Sequence, residues 1–184
     1  MWAYQHTRET HRNAAGGPIV TEAVPLAPAD PADAPAPADR PVVTGTAALL
    51  VNDRGQYLLH LRDAHKEIHD PGTWSLPGGA PEPGETAHEA IARELCEEAG
   101  LVVPDLEPFV LLRRSGPDGV LRGHIQVFLG HWNGDAIALP LTEGVMLHWF
   151  DAGTLPRLTM CDWAAEVVRR HQDELCGAVE GARG

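Results

Sequence analysis

Residues 86–101 spell a helix with both ends marked, and three glutamates near its far end constrain everything built around it. Thr86 followed by Glu89 has the spacing of a capping box, in which hydroxyl and carboxylate satisfy free backbone donors. Ala87, Ile91, Leu95 and Ala99 recur every four residues and form one apolar stripe. Gly100 followed by Leu101 suits a glycine stop with an apolar contact just beyond it. Within the helix, Arg93-Glu94-Leu95-Cys96-Glu97-Glu98 sets three carboxylates on one arc of roughly 100°. Such a choice is locally unfavourable. Like charges three and four residues apart repel, and the C-terminal end of a helix dipole disfavours anions. A local conflict of this kind marks a functional position, and carboxylate oxygens are the donors that hard cations such as Mg²⁺ prefer.

The chain before this helix divides in two. Residues 1–41 are expected to be a flexible tail, because the stretch from Ala23 to Pro41 is built from Ala, Pro and Asp and has little apolar surface to bury. The folded domain is expected over 42–184. Val42 to Val51 and Gln56 to Leu61 read as two strands around the turn Asn52-Asp53-Arg54-Gly55, a hairpin signal. A polar loop from Arg62 to Thr73 leads into a short strand at Trp74-Ser75-Leu76, broken by Pro77-Gly78-Gly79. Strand-like runs follow near 109–114, 121–132 and 145–150, and Asp162 is placed to cap a last helix over 163–175. Strands mixed with two helices in this order give an α+β or layered αβα domain.

Bulk properties narrow the partners. A net charge of -12 offers no long-range attraction to a polyanion, so a nucleic acid polymer is not the expected partner. Bound divalent cations would reverse the sign locally, which leaves a small phosphorylated substrate open. No apolar run reaches the ~20 residues of a membrane span. The first residues lack a signal-peptide core, and Cys96, Cys161 and Cys176 have no paired spacing, so a cytoplasmic protein with reduced thiols is expected.

From Gly79 to Leu101 the chain matches every fixed position of the pattern G-x5-E-x7-R-E-U-x-E-E-x-G-U, with U aliphatic. It thereby resembles the Nudix hydrolases. The approach Trp74-Ser75-Leu76-Pro77-Gly78-Gly79 and the later Glu143-Gly144 turn resemble MutT-like members, so the likeness covers about 43–175. The resemblance implies the Nudix fold, a mixed β-sheet sandwiched between α-helices. It implies a Nudix pyrophosphohydrolase using Mg²⁺, with Mn²⁺ as a substitute. Glu94, Glu97 and Glu98 look like the metal ligands, with the Gly78 carbonyl as a further one. Gly79, Glu85 and Arg93 look like supports. Glu143 is the candidate carboxylate from outside the helix, as metal ligand or base, and Glu94 shares the candidacy for base.

A nucleoside triphosphate, ordinary, oxidised or otherwise damaged, is the first-choice substrate implied. A nucleotide sugar or ADP-ribose is the alternative, and a non-catalytic ligand-sensing domain is the rival from another class. A homodimer stays open. Arg62, Lys66, Arg113, Arg114 and Arg122 are candidate phosphate contacts, each of which also reads as an ordinary solvated charge. Trp74, Phe128, Trp132 and Trp149 have the ring faces for base stacking, yet read more readily as core. His65 and His69 have HxxxH spacing, but Pro71-Gly72 follows and no helix carries them.

Overall fold

The computed structural model describes residues 23–24, 41–66, 68–115 and 118–181. Seven strands form one sheet: β1 (Ala23–Val24), β2 (Val43–Val51), β3 (Tyr57–Leu61), β4 (Trp74–Ser75), β5 (Glu107–Ser115), β6 (Leu121–His131) and β7 (Met146–Phe150). Two helices accompany them, α1 (Ala87–Ala99) and α2 (Asp162–Gly181). The strand order is β1-β5-β6-β2-β3-β4, with β7 also paired to β3. β2 and β6 run parallel and the remaining pairs are antiparallel, so the sheet is mixed.

The run Ala47-Ala48-Leu49-Leu50 explains the layering. It is buried throughout, which an alternating strand achieves only when both faces of its sheet are covered. Ala47 and Leu49 pack with Tyr57, Leu59, Val110, Leu112 and Val127 under Ala164, Val167 and Val168 of α2. Ala48 and Leu50 pack with Leu58, Phe128 and Leu147 under Ile91, Leu95 and Ala99 of α1. The expected sheet between helices is therefore present. Ile91 and Leu95 are almost wholly buried, and each stabilises the fold by about 1.5–3 kcal/mol.

The expected hairpin forms, but only at its turn. Gly55 N–H donates to the Asn52 carbonyl at 2.9 Å, and Val51 faces Tyr57. Beyond that pair β3 swings away from β2. The segment 77–79 takes its place: Ala48 N–H donates to Pro77 O at 2.9 Å and Thr46 N–H to Gly79 O at 2.7 Å. The freed backbone groups of a central strand have to be satisfied somewhere, and this segment satisfies them. The split pins the glycine pair before α1 directly against the sheet.

The helix reading holds in detail. Thr86 and Glu89 make both bonds of the capping box, and Gly100 ends α1 in the left-handed conformation at φ 62°. α2 differs from expectation. It starts at Asp162 itself and runs on to Gly181, past 175, with Glu166 bonded to Arg169 and Arg170 along its exposed face. Of the tail, Ala23–Val24 and Pro41 lie among the described residues; Ala23–Val24 pairs with Leu111 and Leu112 of β5. The rest of that expectation lies outside them.

Candidate active site

Arg93 organises the site. Its Nε and Nη2 donate to the two carboxylate oxygens of Glu85 at 2.8 and 3.0 Å. Its Nη1 donates to Glu94 at 3.1 Å and Glu97 at 3.0 Å, and Nη2 also reaches the Ala80 carbonyl at 3.0 Å. Five bonds employ the donor capacity of a guanidinium, and the bidentate grip on Glu85 is one a lysine cannot copy. Glu85 in turn accepts from the Glu82 N–H at 2.7 Å, closing the 82–85 turn onto the helix. The Arg93 bond, then the Glu82 N–H, hold the Glu85 carboxyl below the usual range.

The two glycines are steric requirements. Gly78 has φ 142°, and a Cβ there would stand 2.3 Å from the Thr46 carbonyl oxygen and 2.7 Å from Ala47 Cα. A Cβ on Gly79 would meet the Glu94 carboxylate at 2.4 Å. The backbone of 78–79 thus lies between β2 and the α1 carboxylates with no room for side chains.

Beside these glycines lies an open cavity of about 270 Å³, lined by Gly78, Gly79, Glu94 and Glu98 on one side. His60, Arg62, Lys66 and Glu143 line it from the other elements. Glu98 has its pKa pushed up to about 7, first by burial and then by the charges of Glu94 and Glu143; the Gly78 N–H bonded to it acts in the opposite direction. Lys66 Nζ lies 3.3 Å from a Glu143 carboxylate oxygen, both side chains being about half exposed.

The structure thus brings together Glu94, Glu98, Glu143, Gly78 and Gly79, with Glu85 and Arg93 behind them. Glu97 stands apart. It is 63% exposed, is held by Arg93 and does not line the cavity, although the helical arc alone put it level with its neighbours. Among the described residues no three His, Cys, Asp or Glu side chains converge into a closed cation cage. The donor set nevertheless fits a hard cation. Its side-chain ligands are all carboxylates, and those of Glu94, Glu98 and Glu143 line one cavity.

Of the basic candidates, Arg62 and Lys66 reach the cavity; Arg122 pairs with Asp118 at 2.8 Å and does not. Of the aromatic candidates one is core and three are half-buried against it. Phe128 is buried, Trp74 packs on Phe150, and Trp132 stacks on Trp149 with centroids 5.7 Å apart. His65 and His69 sit in a loop whose shape Arg62 supports by donating to the His69 carbonyl at 2.8 Å. Two residues escaped the sequence reading. His60, buried in β3, bonds the Glu143 carbonyl through Nε2 at 3.0 Å. Thr142 donates through its hydroxyl to the Glu97 carbonyl at 2.8 Å. A lone polar residue in the apolar run Tyr57–Leu61 was the available signal for the first.

The NUDIX domain family model matches residues 41–171, most of the chain and all of the site just described. The chain belongs to the Nudix family. It is 33% identical over 135 residues to a human protein named 8-oxo-dGDP phosphatase NUDT18, covering 71% of this chain and 39% of that one. It is 40% identical over 62 residues to a Salmonella agona protein named nucleoside triphosphatase NudI, covering 33% of this chain and 43% of that one. The chain thus spans less than half the length of these curated relatives. Among solved structures, the MutT NUDIX hydrolase of Burkholderia pseudomallei superposes with a TM-score of 0.58 at 25% identity, covering 71% of this chain and 98% of that one. No helix among the described residues is long and apolar enough to cross a membrane.

Proposed function

We propose that this Nudix domain is a pyrophosphohydrolase that cleaves the phosphoanhydride of a nucleoside diphosphate linked to a further group, with a nucleoside triphosphate as first substrate. The observation that carries this reading is the meeting of Glu94, Glu98 and Glu143 at one cavity beside the close-packed Gly78-Gly79 backbone. Glu94, Glu98 and Gly78 would hold Mg²⁺, or Mn²⁺ in its place, with Glu97 joining them from the cavity's rim on release from Arg93. When bound, the cation neutralises the pyrophosphate and acidifies water.

The chain's own groups do the rest. A carboxylate, Glu94 or Glu143, accepts the proton of the attacking water. The water oxygen bonds to one phosphorus, the bridging P–O bond breaks, and the released phosphate carries away the electron pair. Arg62 and Lys66 sit where they can meet phosphate oxygens, and Arg93 keeps Glu94 and Glu97 oriented through Glu85. The names of the two relatives, one for an oxidised nucleoside diphosphate and one for nucleoside triphosphates, favour a simple nucleoside polyphosphate, oxidised or ordinary, over a nucleotide sugar or ADP-ribose.

The test is a metal-supplemented screen of dGTP, 8-oxo-dGTP, 8-oxo-dGDP, a nucleotide sugar and ADP-ribose with the products identified. Glu98→Gln and Glu97→Gln are each expected to lower kcat on the order of 10³-fold, with secondary structure intact. Both variants turning over at the wild-type rate with Mg²⁺ would defeat the assignment.

A further inference from the structure

His60 is out of place by the rules that govern its neighbours. It lies in the middle of β3, only 6% exposed, between Leu59 and Leu61. A buried imidazole pays a desolvation cost that a leucine would avoid, and one hydrogen bond recovers only part of it. That bond is the one from Nε2 to the Glu143 carbonyl at 3.0 Å. A carbonyl only accepts, so Nε2 must carry the proton. The next residue, Gly144, has φ 80°, and a Cβ there would fall 1.7 Å from His60 Nε2. The loop is therefore seated on the imidazole ring.

The other side of Glu143 is held as firmly. Thr142 N–H donates to the Glu98 carbonyl at 2.8 Å, and its hydroxyl reaches the Glu97 and Glu98 carbonyls at 2.8 and 3.2 Å. These bonds satisfy carbonyls at the end of α1 that have no partner within the helix. Val145 N–H then donates to the Leu61 carbonyl at 2.9 Å and returns the chain to β3. Glu143 is thus fixed through its backbone to the helix that carries Glu94 and Glu98, while its own side chain stays about half exposed at the cavity.

We propose that His60, working with Thr142, is a positioning residue that sets the Glu143 carboxylate against Glu94 and Glu98 during hydrolysis. This rests on the reading that Glu143 takes part in the reaction. His60 acts through the loop; a direct substrate contact would give a different pattern of kinetics.

The experiment compares His60→Ala, His60→Gln, Glu143→Gln and the double variant His60→Ala/Glu143→Gln, assayed with 8-oxo-dGTP and dGTP in Mg²⁺. His60→Ala should lower kcat by about 10–100-fold with KM unchanged. His60→Gln, whose amide N–H can reach the same carbonyl, should recover most of that loss. In the Glu143→Gln background His60→Ala should cost nothing more. Independently of activity, the ¹⁵N spectrum of the wild-type imidazole should show the Nε2–H tautomer. An equal loss in both backgrounds, no recovery with Gln, or an Nδ1–H tautomer overturns the proposal. Glu143→Gln at the wild-type rate beside an inactive Glu98→Gln overturns it too and leaves the hydrolase reading standing. Wild-type turnover by both Glu98→Gln and Glu97→Gln is the distinct failure of that reading.

Discussion

The metal-free protein should lose stability through Glu98 as the pH rises through neutrality, and replacing this residue by glutamine should remove that loss. The ordinary value for this carboxyl is 4.5, and in the folded protein burial, with the charges of Glu94 and Glu143, raises it to about 7. A group that binds its proton more tightly in the native state stabilises that state fully below pH 4.5 and loses the contribution as the pH climbs past 7. The separation corresponds to ~3 kcal/mol as an upper bound. Glu98 is only partly buried, and solvent screening brings the expected effect to about 1–2 kcal/mol. For a domain of this size that is roughly 3–8 °C in Tm.

The assay is thermal unfolding in EDTA from pH 4.5 to 8 for wild type and Glu98→Gln, with the difference between the two curves as the readout. The wild-type midpoint should run close to that of Glu98→Gln at pH 4.5 and fall progressively below it as the pH rises to 8. Added Mg²⁺ should rescue wild type mainly above pH 7, where no proton has to leave first. Parallel curves across the whole window would refute the reasoning, because they would mean that Glu98 holds no extra proton in the folded state.

The glycine pair yields a separable prediction. Gly79→Ala meets only the movable end of Glu94, so Tm should change little while kcat falls; Gly78→Ala meets the Thr46–Ala47 backbone in a left-handed region and should instead lower the unfolding midpoint. Thermal scans and initial rates on both variants check the pair. Leu95→Ala removes a fully buried side chain from the α1 side of the core and should cost 2–5 kcal/mol in denaturant titration.

What could be read from the sequence was what depends on neighbours a few residues away. The cap at Thr86, the stop at Gly100, the buried stripe of α1 and the Arg93–Glu85 support all lie within one short stretch, and the structure contains each. Strand positions were legible for the same reason, with ends shifted by a residue or two. Partnership across distance was not. An apolar run such as Ala47–Leu50 announces burial on both faces but says nothing of which segment lies beside it, so the replacement of β3 by 77–79 could not be seen. Helical arithmetic placed Glu97 beside Glu94 and Glu98, yet Arg93 holds it at the exposed rim, because side-chain partners decide where a long carboxylate points. His60 stood out as a polar residue in an apolar run, but its partner and that of Thr142 could not be read, because they lie 83 and about 45 residues away. In the sequence only the likeness to MutT-type members points to Glu143; in the structure its carboxylate lies at the cavity of Glu94 and Glu98, between two anchored flanks. The reaction class therefore rests on local sequence, whereas the geometry that would let the reaction run rests on contacts made only when the chain has folded.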